Sequence, residues 1–261
     1  MFVDSYDRLV GYVGGGEDPE DPADVLAMQM VLQIEKTYPP SRHGLLVAAA
    51  RAAVLLCLDD RGGPEGPWAP GLDEWCDARI RKIARRARGK PWRDVQGLWG
   101  VTAEHDGCSV RAFVPSRVGD VDQRIRKLQI GGTDVDGDLP SDDPVGASSG
   151  NETSGPTVDG LCLWLNPDLE MSVGKAAAQV GHASMLGVAL FAVEDAEAWY
   201  GSGCPLDVRL ADSGRWSALC TAAESGAAAA VRDAGFTEVA PGSMTVIAER
   251  APVSVERAPV L

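Results

Sequence analysis

The chain has 261 residues, 45% of them hydrophobic, and its 24 Lys and Arg against 38 Asp and Glu give a formal net charge of −14 at pH 7. This length allows one large domain or two of ordinary size, with a buried core. The negative charge argues against a general nucleic-acid or membrane binder, because such a protein repels polyanions at long range, so a polyanionic partner needs a local basic patch.

Cysteine usage and the apolar runs indicate a cytoplasmic protein with no membrane partner. Six cysteines are scattered without a CxxC pair, which is typical of thiols in a reducing compartment. The start, MFVDSYD, has no basic region before a long apolar one, so no signal peptide is predicted. The apolar run over 45–58 contains Arg51 and is too short to span a bilayer. Only a weak His105-x-x-Cys108 spacing resembles a metal site, so we expect no metal and no cofactor.

The first half contains one unusual basic segment. Residues 1–23 are acidic and rich in Gly and Pro, and predict a flexible arm. Residues 79–93 hold eight of the 24 Lys and Arg and no acid. A solvated helix face is the usual role of such a run, but in this acidic chain we interpret it as a phosphate-contact surface. The predicted elements are a strand over 25–35, an apolar helix over 42–58, an amphipathic basic helix over 72–88, strand material over 101–114 and a polar helix over 120–129.

The second half follows an acidic linker, residues 134–158, that is rich in Gly, Ser and Pro. Its predicted elements are a strand over 160–169, helices over 171–191 and 195–200, a strand over 205–211, a helix over 215–225, and strands over 227–232 and 244–249. This order predicts an α/β fold, a small mixed sheet flanked by helices.

The helix over 171–191 carries the strongest candidate site. Ser172 occupies the N-cap position, and Lys175 falls in the first turn, where it is well placed for an anion or a developing negative charge. Lys175, Gln179 and His182 share one stripe, at i, i+4 and i+7. Each of these residues alone is more simply interpreted as a packing or capping residue. Because all three lie on one face of a helix that follows a strand, together they favour a functional site.

The two halves also overlay at a shift of 131 residues. Residues 30–53 then lie on 161–184, with Ser41 on Ser172, while Lys175, Gln179 and His182 meet Gly44, Ala48 and Arg51. Further on, residues 109–116 resemble 207–213. The overlay predicts a degenerate N-terminal copy, with the basic helix as an insertion, and hence a pseudo-dimer. Chance similarity of Ala-rich helices is the alternative.

PDLEMSVGKAAAQVGHAS and, downstream, RDAGFTEVAPGSMTVIA resemble the two motifs of the type-2 peptidyl-tRNA hydrolases, over about residues 158–250. The resemblance implies metal-independent hydrolysis of the ester between a peptide and the tRNA 3′ end, and a four-stranded mixed sheet that commonly dimerises, so either a monomeric pseudo-dimer or a homodimer is expected. It assigns catalytic roles to Lys175, Asp233, Thr237 and Thr245. The substrate-binding candidates in the motifs are Gln179, His182, Ser172 and Ser243.

Two positions depart from the family pattern. Asn166 and Val173 stand where a basic residue is usual, which removes positive charge from the side expected to meet tRNA. The basic segment could replace it, with Arg81, Arg85 and Arg88 as tRNA-contact candidates.

In ester hydrolysis, Lys175 suits the oxyanion or a nearby phosphate, Asp233 could orient water or fix Lys175, and the Thr hydroxyls could hold water or substrate. His182 suits a general base by its ordinary pKa, but its depth along the helix favours a structural role.

These observations predict five segments: an arm over 1–23, a degenerate hydrolase-like domain over 24–133, the linker over 134–158, a hydrolase-like domain over 159–250 and a tail over 251–261. Two other functions stay open. One is a non-catalytic RNA- or protein-binding protein of the same fold, and the other is hydrolysis of a different aminoacyl or peptidyl ester.

Overall fold

The computed structural model describes residues 2–12, 19–141, 157–233 and 238–254, which form two mixed β-sheets with helices packed on them. The first half has α1 (Phe2–Val10), β1 (Leu26–Gln33), α2 (Arg42–Leu58), α3 (Ala69–Cys76), β2 (Arg81–Ala87), α4 (Gly89–Val95), β3 (Gly100–His105), β4 (Cys108–Phe113), β5 (Ser116–Arg117) and α5 (Gln123–Arg126). The second half has β6 (Thr157–Leu165), α6 (Val173–Leu186), α7 (Val193–Gly201), β7 (Leu206–Leu210), α8 (Ser213–Glu224), β8 (Ala229–Arg232) and β9 (Met244–Ser254).

The two sheets share one strand order and one set of strand directions. The order is β2-β1-β4-β3 in the first sheet, with β5 paired to β1, and β7-β6-β9-β8 in the second. β1 is parallel to β2 and antiparallel to β4, just as β6 is parallel to β7 and antiparallel to β9. In each sheet the remaining edge strand is antiparallel to its neighbour. The mixed α/β fold predicted for the second half is therefore confirmed.

The helices α2 and α6 pack against each other and join the two halves. Ser184 of α6 donates a hydrogen bond from Oγ to the Ala50 carbonyl of α2 over 2.9 Å. Small residues permit this approach, since a Cβ built on Gly181 would lie 3.3 Å from the Ala53 Cβ. Apolar side chains of both halves form one continuous core. Among the described residues, no helix is both long and apolar enough to cross a membrane.

The predicted basic helix over 72–88 is wrong. α3 ends at Cys76, and four basic residues of the predicted helix lie instead on β2, an edge strand paired in parallel with β1: Arg81, Lys82, Arg85 and Arg86. Ile80 between α3 and β2 has φ +34°, a left-handed conformation that does not continue a right-handed helix. The apolar spacing that fits a helix stripe is thus overridden by strand pairing, a common effect of tertiary context.

Other predictions for the first half also change. Residues 2–10 form α1 and not a flexible arm, because Phe2 and Leu9 are buried and the Tyr6 hydroxyl donates to the Phe191 carbonyl over 2.8 Å. The strand material over 101–114 is a hairpin of β3 and β4, with positive φ at both turn residues, Asp106 and Gly107. The polar helix over 120–129 shortens to α5.

The predicted elements of the second half are confirmed with small changes in their ends. Helix 171–191 is α6 followed by a 3-10 turn over Gly187–Leu190, and β9 continues to Ser254. In the first half, the strand over 25–35 and the helix over 42–58 are confirmed as β1 and α2. Most of the predicted linker (142–156) and of the tail (255–261) lies outside the described residues.

Candidate active site

The candidate site is built around the start of α6. Ser172 caps the helix as predicted, with its Oγ accepting a hydrogen bond from the Lys175 N–H over 3.2 Å. The same residue donates from N and from Oγ to the Glu238 carboxylate, over 2.8 Å and 2.7 Å. Ser172 therefore fixes the helix start and ties it to the segment before β9, and these contacts give it a structural role.

The next two amides of the first turn also bond within the chain. Val173 N–H donates to Asp134 Oδ1 over 3.4 Å, and Gly174 N–H donates to Thr133 Oγ1 over 3.1 Å. Thr133 is buried, and a Cβ built on Gly174 would lie 2.7 Å from its Oγ1, so the glycine permits this contact. The helix end predicted to favour an anion is thus occupied by side-chain oxygens, and the positive group that it presents is Lys175.

Lys175 and Asp233 meet directly, as the sequence leads one to expect. The Lys175 Nζ lies 2.5 Å from Asp233 Oδ2, and the two side chains are only 12% and 7% exposed. Gln179 Nε2 donates to the same oxygen over 2.8 Å, while the buried Thr245 donates from Oγ1 to Gln179 Oε1 over 2.6 Å. Four residues of the two motifs therefore form one connected network in which Thr245 orients Gln179, and Gln179 and Lys175 hold the carboxylate.

The backbone around Asp233 explains why the two motifs meet. Asp233 follows β8, its N–H donates to the Ser243 carbonyl over 2.9 Å, and its carbonyl accepts from Gly242 N–H over 2.7 Å. Gly242 has φ +80°, which suits the turn that leads into β9. Ser243 thus contributes its main-chain oxygen to this turn. Thr237, predicted as catalytic, lies outside the described residues.

His182 lies farther along α6 and faces the first half. Its Nδ1 is 3.1 Å from the Lys82 Nζ of β2. Burial, and then the positive charges of Lys82, Lys175 and Arg81, hold the pKa of His182 well below its usual value of 6.5. The imidazole is therefore neutral at physiological pH, and its contact with Lys82 places it at the junction between the halves.

The three arginines predicted to contact tRNA have different environments. Arg85 is buried, with Nε donating to Gln29 Oε1 over 2.8 Å and Nη1 to the Leu128 carbonyl over 3.0 Å, and burial lowers its pKa. Arg81 is half-buried, and Arg88 is exposed at the end of β2. Arg85 is therefore placed to stabilise the fold, which leaves Arg81 and Arg88 as candidates for contact with a polyanion.

Asn166 has a structural explanation. Its Nδ2 donates to the Met244 carbonyl over 2.8 Å, and its Oδ1 accepts from Asp168 N–H over 2.9 Å. This side chain holds the turn after β6 against the start of β9, a task for an amide, which can donate and accept hydrogen bonds at once. The departure from the family pattern therefore coincides with a local hydrogen-bonding role.

One group of described residues has the composition of a metal site. His43, His105 and Asp106 each bring a ligand atom within 4.8 Å of the others, and His43 Nε2 lies 2.7 Å from Asp207 Oδ1. The sequence did not reveal this group, because α2, the β3–β4 turn and β7 meet only in the folded chain. The His105-x-x-Cys108 spacing is not its basis, since the Cys108 Sγ lies by Ser41, at 3.8 Å from its Oγ.

The first half has no room for a second lysine at the position that the overlay pairs with Lys175. That position is Gly44, whose N–H donates to the N-cap Ser41 over 3.0 Å. A Cβ built on Gly44 would lie 2.6 Å from the Cys108 Sγ. The overlay of 109–116 on 207–213 is wrong, because β4 is antiparallel to β1 whereas β7 is parallel to β6.

Four residues that contact α6 or its N-cap were not identified from the sequence: Lys82, Thr133, Asp134 and Glu238. Lys82 was visible only as one member of a basic run, and the other three carry no local signal, because their contacts with α6 join distant parts of the chain.

A sequence model of the family described as peptidyl-tRNA hydrolase PTH2 matches residues 160–256, which include the whole Lys175–Asp233–Gln179–Thr245 network. The C-terminal part of the chain is therefore a domain of the peptidyl-tRNA hydrolase PTH2 family.

Proposed function

We propose that the protein hydrolyses the ester that joins a peptidyl, or N-blocked aminoacyl, group to the 3′ end of a tRNA. The observation that supports it best is the nearly buried contact between Lys175 and Asp233, backed by Gln179. This pairs a cation with an acceptor, the two groups that an ester hydrolysis without a covalent intermediate requires.

In the proposed reaction, a water molecule beside Asp233 attacks the ester carbonyl carbon. The Asp233 carboxylate orients this water, and Gln179 keeps the carboxylate in position through the 2.8 Å hydrogen bond. The ammonium of Lys175 donates to the carbonyl oxygen as it becomes an oxyanion. The bond between the carbonyl carbon and the ribose oxygen then breaks, and the ribose oxygen takes up the proton lost by the water. The carboxylic acid that forms releases its remaining proton to solvent, so the products are a free peptide carboxylate and a tRNA with an intact 3′ hydroxyl.

The test is release of peptide from purified peptidyl-tRNA by the full chain, with aminoacyl-tRNA and a simple carboxylic ester as parallel substrates. We expect release from peptidyl-tRNA without added metal. No release from any tRNA ester would favour a binding protein of the same fold, and equal turnover of the simple ester would favour a less specific esterase.

We further propose that the first half supplies the surface that binds tRNA. Residues 160–256 contain five Lys and Arg against twelve Asp and Glu, whereas residues 79–93 contain eight Lys and Arg and no acid. A polyanion is repelled by the first set and attracted by the second. Arg88, exposed beside α4, is the clearest candidate for a phosphate contact.

Reversing the charge at Arg88 is expected to weaken tRNA binding and to make it less sensitive to salt. Each lost phosphate contact lowers the slope of log affinity against log salt by about 1, so Arg88→Glu should lower it by about that amount, measured by fluorescence anisotropy at several salt concentrations. Arg124→Glu is the matched control, because Arg124 is already paired with Asp122. An Arg88→Glu variant with unchanged affinity and slope would remove this assignment.

We also infer that the two halves arose by duplication and form a pseudo-dimer within one chain. The shared strand order, the serine N-caps of α2 and α6 at the predicted shift of 131 residues, and the packing of these helices support this inference. In this arrangement, one half carries the catalytic residues and the other carries the basic strand.

A further inference from the structure

Lys82 is a cation at the junction of the two halves. Its Nζ lies 3.1 Å from His182 Nδ1 and 4.9 Å from the centre of the Trp75 ring. Its methylene groups lie over α6, since a Cβ built on Gly181 would be 3.2 Å from Lys82 Cδ. Within the described part of the chain, no carboxylate pairs with this ammonium, so its charge is balanced only by an aromatic face and a neutral ring.

A largely desolvated ammonium without a counter-charge is costly in free energy, so the protonated form of the lysine is disfavoured. Burial lowers the pKa of Lys82 to about 7. The acidic groups that act electrostatically on Lys82 are two thiols, Cys57 of α2 and Cys76 of α3. Burial raises their pKa values to about 12 and about 11, so both stay uncharged. Lys82 and His182 are half-buried and not sealed from solvent, so this cation without a counter-charge is a candidate for binding an anion.

We propose that Lys82 and His182 form an oxyanion subsite that binds a phosphate group of the RNA substrate. When the ammonium donates to His182 Nδ1, the imidazole carries its own proton on Nε2, so both residues present N–H donors. His182 also shares the polar stripe of α6 with Lys175, about 10 Å away at 1.5 Å per residue. That the anion belongs to RNA rests on the proposed function, whereas the subsite itself does not.

Sulfate is the probe for the subsite, because it stays fully ionised between pH 6 and pH 8.5. Three other groups near Lys82 do not titrate in this range: Cys57 and Cys76 stay thiols because burial raises their pKa values, and His182 stays neutral because burial lowers its pKa. An anion binds the protonated form of Lys82, which is lost as the pH rises through about 7. We expect sulfate affinity, measured by isothermal titration calorimetry, to fall by roughly tenfold or more between pH 6 and pH 8.5.

Two substitutions of Lys82 separate charge from structure. Lys82→Met should abolish this sulfate binding, whereas Lys82→Arg should keep it and make it independent of pH, because a guanidinium does not titrate in this range. Lys127→Met removes an equal charge from an exposed lysine that lies outside residues 79–93, and it should change neither property. If Lys82→Met does not fold, the pH profile of Lys82→Arg decides. Sulfate affinity that falls with pH as in the wild type in Lys82→Arg, or that persists in a folded Lys82→Met, would overturn the proposal.

A second arm identifies the source of the anion. A short RNA ending in CCA should bind Lys82→Met more weakly than the wild type, and its salt slope should fall by about 0.7, the value for one contact to a single strand. RNA binding that is unaffected while sulfate binding is lost would assign the subsite to a free anion instead. If the wild-type protein cleaves no tRNA ester, the sulfate result still stands or falls by itself, so the two proposals fail separately.

Discussion

Replacing Lys175 by alanine is expected to lower kcat for peptide release by roughly two to three powers of ten, the usual cost of losing one donor to a developing oxyanion. Asp233→Asn should have an effect of similar size, because the amide keeps the shape but removes the charge that faces Lys175 Nζ at 2.5 Å. Single-turnover release from peptidyl-tRNA, with substrate in contact with excess enzyme, measures the chemical step directly.

The control for both variants is Lys127→Met, which removes an exposed lysine outside residues 79–93 and should leave kcat unchanged. Thermal unfolding of each variant shows whether the fold survives. Lys175→Arg should restore part of the rate, since the charge is kept but the geometry changes. Wild-type kcat in a folded Lys175→Ala protein would be incompatible with the proposed chemistry.

The substitution Gly181→Val is expected to destabilise the protein by about 3 kcal/mol, the upper part of the usual range for overpacking a core. A Cβ added at this position would lie 3.2 Å from Lys82 Cδ and 3.3 Å from Ala53 Cβ, so the two further methyl groups of valine force α6 away from α2 and β2. Equilibrium unfolding in urea measures the loss as a lower midpoint.

Gly201→Ala is a matched control, because a Cβ on this glycine of α7 meets no atom within 4 Å. It should leave the urea midpoint unchanged or raise it slightly, since alanine is the better helix former by about 1 kcal/mol. A Gly181→Val protein as stable as this control would mean that the interface between α2 and α6 can open without cost.

The sequence was informative where function depends on local pattern. Ser172 could be recognised as an N-cap from its position before an apolar repeat, and the two motifs brought Lys175 and Asp233 into one hypothesis although 57 residues separate them. The regular elements of the second half could be predicted because their apolar periodicity is clear and each is bounded by Gly, Pro or a cap.

The rest depends on contacts between distant segments. β2 reads as a helix because its apolar residues recur at three and four positions, and nothing within the segment reveals that β1 will pair with it. The role of Lys82 likewise follows only from where β2 lies relative to α6. Gly174 is visible as a motif residue, but the reason for its size is Thr133, 41 residues earlier in the chain.

The contact of Ser184 with the Ala50 carbonyl has a consequence for how this protein can evolve. The residue that the 131-residue shift pairs with Ser184 is Ala53, which has no hydroxyl, so the contact is made in one direction only. In a symmetric dimer, every substitution acts twice at the shared axis and must suit both copies at once. Under the duplication proposed above, joining the copies in one polypeptide removes that constraint, and each half becomes free to acquire its own chemistry.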